Sequence, residues 1–422
     1  MASNREIASR KHPRWLRILG PGLITGAADD DPSGIATYSQ AGAAFGYAQL
    51  WTISLCLPLM IAVQEATARI GASTGKGLAK VTAEHFSRKV LYAVVGLIVV
   101  ANVINIGADI AAVGASLHLL INIPTVLLSG VFTVLVLLLM IFTSYHTYAR
   151  ILKVFALFLL AYVITALIVD EPWREILKAT FIPQFQGTFE YWYVIVGILG
   201  TTISPYMFFW QAAEEVEERE YSEKHHMARR SMKDIRIDTT SGMVISQLGS
   251  WFMMLTTATV LHANGVTNIG TAADAAKALE PFAGSFAQAV FAIGVVGMGL
   301  LGIPVLAGSA SYAVSELFQW TEGLDHKARE AKGFYSVIVV ATLIGFGLTA
   351  INLDPIKTLI FAAVVNGLVA VPLVLLIRNI SSNQAIMGAF VSKRLSRSVL
   401  GATFVIMGLC AVAMFVALFA RS

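Results

Sequence analysis

The sequence contains repeated apolar stretches that are each long enough to form a helix across a lipid bilayer. Such a helix needs about 20 mostly apolar residues. Eleven stretches meet this requirement: residues 18–46, 48–70, 90–120, 124–143, 149–169, 191–213, 238–263, 285–319, 334–352, 356–378 and 398–420. Only helices and closed barrels satisfy their backbone hydrogen bonds inside lipid, so the pattern predicts an all-α polytopic membrane protein with eleven spans.

The composition agrees with this class and argues against others. Hydrophobic residues make up 56% of the 422-residue chain and charged residues 13%, whereas soluble domains carry about 25% charged residues. A net charge of +4 is too even to indicate nucleic acid as a partner. Cys56 and Cys410 both lie in apolar runs, which indicates neither a disulfide framework nor a zinc site.

Lysine and arginine are distributed unevenly among the segments that join the spans. If the N-terminus is cytoplasmic, 25 of the 30 basic residues fall in cytoplasmic segments and five in outer ones. Cytoplasmic segments of membrane proteins are enriched in Lys and Arg, so this distribution predicts a cytoplasmic N-terminus and an extracellular C-terminus. We expect an integral protein of the plasma membrane, in contact with the lipid bilayer.

Two spans are interrupted by sequences that a continuous helix does not favour. The first span contains Asp29-Asp30-Asp31-Pro32-Ser33-Gly34, and the sixth contains Gly200-Thr201-Thr202-Ile203-Ser204-Pro205-Tyr206. Proline removes a backbone donor and disfavours helix at the preceding residue. The two breaks begin successive sets of five spans, which is typical of transporters that bind substrate near the bilayer midplane. Ordinary proline kinks are the alternative interpretation.

The three aspartates at the first break favour a functional interpretation, because a carboxylate at membrane depth is costly. Together with unwound backbone carbonyls, Asp31 would form a cluster of hard oxygen ligands suited to a hard cation. Consecutive aspartates cannot all face one site. We expect Asp30 to add negative potential or line the entry, and Asp29 to be structural. Pairing, or exposure to a solvated vestibule, is the alternative for both.

These motifs, in this order and spacing, resemble the Nramp family of divalent-metal transporters over most of spans 1 to 6. The resemblance rests on the two breaks together with Gly20-Pro21-Gly22, Ala68-Arg69-Ile70-Gly71, Thr74-Gly75-Lys76-Gly77-Leu78 and Ala108-Asp109-Ile110-Ala111-Ala112-Val113-Gly114. It implies a LeuT-type fold in which spans 1–5 and 6–10 are inverted repeats. The predicted parts are a cytoplasmic N-terminus (1–17), a first five-span repeat (18–169), an extracellular loop (170–190), a second five-span repeat (191–378), and a loop with the eleventh span (379–422).

Several positions depart from the family pattern, and the departures bear on the choice of metal. The resemblance matches Asp31 with the family's metal-binding aspartate, but Gly34 replaces its asparagine ligand and Ser204 its methionine ligand. Tyr206 replaces a histidine that the family ties to proton movement. Together these losses resemble the Nramp-related magnesium transporters.

Two polar residues in other spans are further candidates for the site or its pathway. In the third span, Asp109 is kept and Ala112 replaces a second acidic residue of the family. We interpret Asp109 either as a vestibule acid or as part of a polar network. Asn366 lies in the tenth span, roughly where family members place a polar residue facing the metal, and is either a site residue or a packing amide.

Other charged residues are interpreted as structural. Glu65 is expected to face the bundle and pair with Arg69 at i+4. An acidic run follows the sixth span: Glu214, Glu215, Glu217, Glu218 and Glu220. We interpret this run as a solvated extension of the helix, with a cation-attracting vestibule as the alternative.

We therefore expect a secondary transporter that imports Mg²⁺, and also Mn²⁺, by alternating access and without proton coupling. Losing sulfur removes a preference for softer ions, and Mg²⁺ keeps several waters when bound, which suits a roomier site. The expected ligands are Asp31 directly and, as the resemblance implies, the Thr201 carbonyl. Gly34, Thr202 and Ser204 would contribute through backbone or water, although Ser204 could instead serve helix packing.

Two other functions are kept as alternatives. One is a proton-coupled manganese or iron transporter of the ordinary Nramp kind, and the other is a sodium-coupled carrier of an organic solute on the same scaffold. A channel or a purely structural membrane protein is disfavoured by the paired breaks. No cofactor and no enzymatic activity are expected, because the glycines of residues 71–77 lack the spacing of a nucleotide-binding loop.

Overall fold

The computed structural model describes residues 22, 25, 26, 29–143, 158–224, 231–351 and 354–421. The predicted N-terminal segment 1–17 and the beginning of the fifth span lie outside these ranges. Span 1 contributes the helix Pro32–Phe45. The helices of spans 2 to 11 are Trp51–Thr74, Arg88–His118, Thr125–Phe142, Leu159–Ile168, Phe189–Thr202 with Pro205–Lys224, Met232–Val260, Ala287–Phe318, Lys332–Leu348, Pro355–Ser382 and Arg394–Arg421.

The helices have the length and the surface that a membrane requires. Within the described ranges, nine helices are long and apolar enough to cross a bilayer, and they belong to spans 2, 3, 4 and 6 to 11. The described part of span 5 is a shorter apolar helix. Large apolar side chains remain exposed on the outside of the bundle, such as Val131 at 70% and Leu409 at 63%. Exposed apolar surface of this kind fits contact with lipid.

Local sequence explains where several helices begin. Pro32 occupies the first turn of Pro32–Phe45, and the Asp31 side chain caps that helix. Ser87 caps span 3, and Ser231 forms a reciprocal capping box with Asp234 at the start of span 7. Each cap satisfies backbone N–H groups that have no partner within the helix.

The connections contain more helix than the spans alone. The segment between spans 2 and 3 contains the helix Leu78–His85, and the predicted loop 170–190 contains the helix Trp173–Phe181. The helix of span 6 continues to Lys224, so the acidic run is helical, as predicted. This extension is covered by the segment that follows span 8, since Glu217 accepts a hydrogen bond of 2.9 Å from the backbone N of Leu324.

Hydrogen bonds between the connections group them at two ends of the bundle. At one end, the hydroxyls of Tyr47 and Thr259 lie 2.9 Å apart and join the segment after span 1 to the end of span 7. At the other end, Arg69 donates to the carbonyl of Phe390, which joins the end of span 2 to the loop before span 11. Successive spans that run in opposite directions place their connections alternately at the two ends, and the observed grouping agrees with this.

The breaks of spans 1 and 6 meet in the middle of the bundle. Pro32–Phe45 packs against spans 6, 7 and 10, while span 3 packs against spans 8, 9 and 10. Asp31, at the break of span 1, lies within hydrogen-bond distance of Tyr206, which follows the break of span 6. The fold therefore brings together two segments that are far apart in the sequence.

Candidate metal site

The break of span 1 presents the Asp31 carboxylate at the start of a helix. The backbone of Asp31 is extended, and Pro32 begins the helix after it. One carboxylate oxygen, Oδ1, accepts hydrogen bonds from the Ser33 hydroxyl at 2.6 Å and from the Gly34 backbone N at 2.9 Å. The cap thus fixes one oxygen of the carboxylate at the start of the helix.

The second oxygen of Asp31 faces two other spans. Oδ2 accepts from Asn105 Nδ2 of span 3 at 2.9 Å and from the Tyr206 hydroxyl of span 6 at 3.3 Å. All three residues are fully buried. The Asn105 oxygen Oδ1 has no hydrogen-bond partner within the described ranges. Rotation of the amide by half a turn would present this oxygen in place of the N–H group.

Asp109 of span 3 is a second buried carboxylate beside the break. Both of its oxygens lack a hydrogen-bond partner among the described residues, and the side chain has no exposed surface. Gly302 of span 8 separates it from Asp31. A Cβ added at Gly302 would lie 2.9 Å from Asp31 Cβ and 3.8 Å from Asp109 Oδ2. The structure thus brings Asp31 and Asp109 to one glycine-lined region.

The break of span 6 directs its polar groups in several directions. Ser204 donates to the carbonyls of Gly200 at 2.8 Å and Thr201 at 2.5 Å, within its own span. Thr202 forms a hydrogen bond with the Tyr38 hydroxyl at 2.7 Å. Thr201 Oγ1 is buried without a hydrogen-bond partner among the described residues, and a Cβ added at Gly34 would lie 3.2 Å from it. Thr201 is therefore the span 6 residue that contacts the Gly34 region.

Asp29 and Asp30 face span 7 instead of the Asp31 carboxylate. Asp29 Oδ2 accepts from the Ser246 hydroxyl at 2.6 Å, and Asp30 Oδ1 accepts from the Ser250 hydroxyl at 3.0 Å. Both aspartates are buried. The expectation that three consecutive carboxylates cannot share one site agrees with this geometry, and so does the pairing alternative for the first two.

Asn366 of span 10 is also buried, and both polar atoms of its amide lack a partner among the described residues. The next residue, Gly367, lies against the backbone of Gly200 and Val196 in span 6. Asn366 is thus placed beside the first half of span 6.

Sequence reasoning missed Asn105 and Gly302. Asn105 precedes Asp109 by four residues, which places both on one face of a helix. That spacing was a usable signal. The contact of Gly302 with Asp31 joins spans 1 and 8, which are far apart in the sequence, and no sequence pattern predicted it.

The sequence suggested that the acidic run after span 6 is solvated, but only its end, at Glu220, is exposed. Glu214 and Glu215 are buried, and Glu217 accepts hydrogen bonds from the Tyr312 hydroxyl and from Leu324 N. In the loop after span 8, burial and the nearby Glu316 raise the pKa of Glu322 to about 9. The prediction was wrong because span 8 and this loop cover the helix.

The chemistry of the region suits a hard cation. The four groups that hydrogen-bond Asp31 contribute nitrogen or oxygen, and none contributes sulfur. Within the described ranges, no group of three or more His, Cys, Asp or Glu residues could hold a metal ion. Magnesium is commonly bound by one or two carboxylates together with several retained waters. The pair Asp31 and Asp109, with amide and hydroxyl oxygens nearby, matches that requirement.

Comparisons with known proteins agree with this geometry. A family model described as "Natural resistance-associated macrophage protein-like" (Nramp) matches residues 22–417. A protein named divalent metal cation transporter MntH from Caldanaerobacter subterraneus is 27% identical over 95% of this chain and 96% of its own length. One of the same name from Chromohalobacter salexigens is 30% identical over 72% of this chain and 69% of its own length.

Solved structures show the same fold. A manganese transporter from Eremococcus coleocola, in complex with an aromatic bis-isothiourea substituted compound, aligns with a TM-score of 0.76 at 16% identity, over 95% of this chain and 87% of that chain. MhsT in complex with L-phenylalanine aligns with a TM-score of 0.63 at 10% identity, over 94% of this chain and 98% of that chain. The predicted LeuT-type fold is confirmed.

Proposed function

The chain belongs to the Nramp family, and from that premise we propose that it is a secondary transporter that moves divalent metal ions across the membrane by alternating access. Members of this family are transporters and not enzymes. Its curated relatives are named divalent metal cation transporters. The orientation, with a cytoplasmic N-terminus and an extracellular C-terminus in the plasma membrane, is part of the proposal and follows from the distribution of basic residues.

Magnesium is the proposed principal substrate, and manganese is a second one. The observation that carries this choice is that none of the groups that hydrogen-bond the Asp31 carboxylate contains sulfur. Without a thioether or thiolate ligand, a site cannot use ligand softness to select Mn²⁺, Fe²⁺ or Cd²⁺ over Mg²⁺. The side chains of Asn105 and Tyr206, which donate to Asp31 Oδ2, must rotate to admit a partly hydrated ion there.

The proposed ligands are the Asp31 carboxylate and the Thr201 carbonyl, with Gly34, Thr202 and Ser204 contributing through backbone or water. Two observations favour additions to this set. The amide oxygen of Asn105, on the group that contacts Asp31, has no hydrogen-bond partner among the described residues. The same holds for both oxygens of Asp109, which lies across Gly302 from Asp31. These side chains would hold the metal's retained waters.

A side-by-side uptake measurement tests the choice of metal. Purified protein in liposomes, with an inside-negative potential, should take up Mg²⁺ in a saturable manner, and Mn²⁺ should compete without strong preference. Liposomes containing Asp31→Asn serve as the matched control and should take up neither ion. Binding of manganese or cadmium by calorimetry, with magnesium silent even at millimolar concentration, would contradict the proposal.

A proton-coupled manganese transporter is the second candidate. It is favoured by the structural similarity to a manganese transporter and by the retained acid Asp109. The replacement of a family histidine by Tyr206 and of a family acid by Ala112 argues against it. The same liposomes distinguish the two candidates, because only the second requires internal acidification during uptake.

A further inference from the structure

A groove of about 520 Å³ lies where spans 2, 7 and 11 meet. One wall is apolar and is formed by Pro58, Ile61 and Ala62 of span 2 with Val399 of span 11. It continues to Leu395, whose side chain is 75% exposed. The apolar wall therefore opens toward the surface that contacts lipid.

The opposite rim of the groove is basic. It is formed by Arg69, Arg236 and Lys393. These residues lie at the end of the bundle that the charge distribution predicts to be cytoplasmic. The rim belongs to three separate segments: the end of span 2, the start of span 7, and the loop before span 11.

Arg69 is fixed within the protein. Its guanidinium forms an ion pair with Glu65 at 3.1 Å, as the i+4 spacing predicted. It also donates to the Phe390 carbonyl at 2.8 Å and to the Ser392 hydroxyl at 3.1 Å. Arg69 therefore holds the loop before span 11 in place, and Glu65 neutralises its charge.

Arg236 and Lys393 form no ion pair with any residue in the described ranges. Both side chains are exposed. The acidic residues nearest to Arg236 in the sequence, Asp234 and Asp238, accept hydrogen bonds from Ser231 and from Gly22 N, and residues 388–397 contain no acidic residue. The groove thus combines an apolar channel with two positive charges that are not paired among the described residues.

We propose that this groove binds an anionic phospholipid. The acyl chain would lie along the apolar wall, and the phosphate would contact Arg236 and Lys393. Basic pockets between membrane helices on the cytoplasmic side are suited to anionic headgroups, and the apolar wall adds hydrophobic contact that a free phosphate cannot make. The lipid would join the start of span 7 to the loop before span 11.

The test uses the full-length protein, purified and delipidated, with phosphatidylglycerol or phosphatidylcholine as the probe. Lipid retention is measured by native mass spectrometry. The double variant Arg236→Gln/Lys393→Gln should retain phosphatidylglycerol about 25-fold less well, since each basic side chain near a headgroup contributes about fivefold. The matched control is Lys233→Gln/Arg397→Gln, which removes the same charge from the same segments outside the groove lining and should behave as wild type.

Further arms decide between the possible ligands. Phosphatidylcholine should bind equally weakly to all forms. Inorganic phosphate should neither bind the groove nor displace phosphatidylglycerol. If the double variant does not fold, Arg236→Lys/Lys393→Arg keeps both charges and should retain the lipid, whereas each single Gln variant should lose part of it. Equal loss in the control variant, or protection by phosphate alone, would overturn the proposal.

Discussion

Asp31 combines a structural role with the role proposed for it in metal binding. Its side chain caps the helix Pro32–Phe45, and loss of such a cap costs about 0.5–2 kcal/mol of stability. The same carboxylate lies fully buried between spans 1, 3 and 6. A substitution that removes the whole side chain would therefore alter folding and binding together, so the two roles must be separated by a variant that keeps the cap.

Asp31→Asn keeps an oxygen for the cap and removes the charge, whereas Asp31→Ala removes both. We expect both variants to lose metal uptake, and only Asp31→Ala to lower the thermal midpoint clearly. Uptake in liposomes and thermal unfolding in detergent measure the two effects. Uptake at the wild-type rate by a well-folded Asp31→Asn protein would remove Asp31 from the site.

Gly302→Ala tests the contact between spans 1 and 8. The new Cβ would lie 2.9 Å from Asp31 Cβ, closer than atoms normally approach, so Asp31 must shift. Overpacking of this kind costs about 1–3 kcal/mol. A cost of this size on the metal-bound form corresponds to roughly 5- to 150-fold weaker metal binding. Isothermal calorimetry measures the affinity. Gly96→Ala is the control, because its Cβ meets nothing within 4 Å; equal affinities in the two variants would refute the prediction.

Glu322 gives a pH dependence of stability with a defined sign. Its pKa is raised from 4.5 to about 9 by burial, so the folded protein holds a proton that the unfolded chain releases. The stabilisation is complete below the unfolded pKa and is lost as the pH rises toward 9.

Raising the pH from about 6 to about 8.5 should therefore lower the thermal midpoint of the wild type more than that of Glu322→Gln. The exposed Glu330 of the same loop provides the control variant Glu330→Gln, which should follow the wild type. If the thermal midpoints of all three proteins fell equally over this pH range, the buried carboxyl of Glu322 would not be the cause.

At the scale of whole elements, spans 1 and 7 are packed backbone to backbone. A Cβ added at Gly26 would lie 2.4 Å from the Gly242 carbonyl oxygen, and one at Gly42 would lie 2.2 Å from the Met254 carbonyl oxygen. Small residues allow such close approach between membrane helices. The contacts lie on both sides of the break, so span 7 supports both halves of span 1.

Gly42→Ala should separate the outer half of span 1 from span 7. Because the backbone of Met254 cannot move aside as a side chain would, we expect a loss of about 1–3 kcal/mol in stability. The free energy of unfolding in denaturant measures this loss. Gly408→Ala, whose Cβ would meet only Val371 at an ordinary 3.9 Å, should leave it nearly unchanged, and a similar loss there would show a general effect of alanine.

The sequence predicted elements more reliably than it predicted their ends and contacts. The bilayer fixes the length and apolarity of a span, so the eleven stretches could be recognised without knowledge of their neighbours. The acidic run was wrongly interpreted as solvated because Glu217 is covered by Tyr312 and Leu324, about 100 positions away. Asp31 was identified because the proline and the charge at membrane depth mark it locally. Tyr206 was a candidate through the family resemblance, and Asn105 could have been suspected from its spacing to Asp109. The contact of both with Asp31 joins distant spans, which sequence spacing alone does not reveal.

At the scale of the whole molecule, grooves are present at both ends of the bundle. Those at the predicted inner end measure about 470 and 520 Å³, and one at the predicted outer end, between spans 3, 4 and 10, measures about 450 Å³. The cavity between spans 1, 3, 8 and 10 on the outer side measures about 10 Å³. Gln40 is joined to the segment after span 7 by hydrogen bonds with Thr267 and Ile269, and His262 contacts the Ala43 carbonyl at 2.8 Å.

Metal transport should proceed without protons. A tyrosine hydroxyl holds its proton near neutral pH, so Tyr206 cannot serve as the family histidine would, and Ala112 cannot carry a proton. An inside-negative potential contributes about 4.6 kcal/mol per 100 mV to a divalent ion, which is sufficient to drive uptake. A pH-sensitive dye inside liposomes, at clamped potential, should show no acidification. Acidification that rises with metal concentration and vanishes in Asp31→Asn would demonstrate coupling.

Span 1 is attached to span 7 on both sides of the non-helical residues Asp30 and Asp31. These residues divide span 1 into an inner arm before them and an outer arm after them. Among the described residues, the inner arm is held by glycine contacts and by one hydrogen bond, from Gly22 N to Asp238 at 2.9 Å. The outer arm is held by a glycine contact and by the three hydrogen bonds of Gln40 and His262. Because span 7 contacts both arms, a movement of either arm about Asp30 and Asp31 must break its contacts with span 7 or carry span 7 with it.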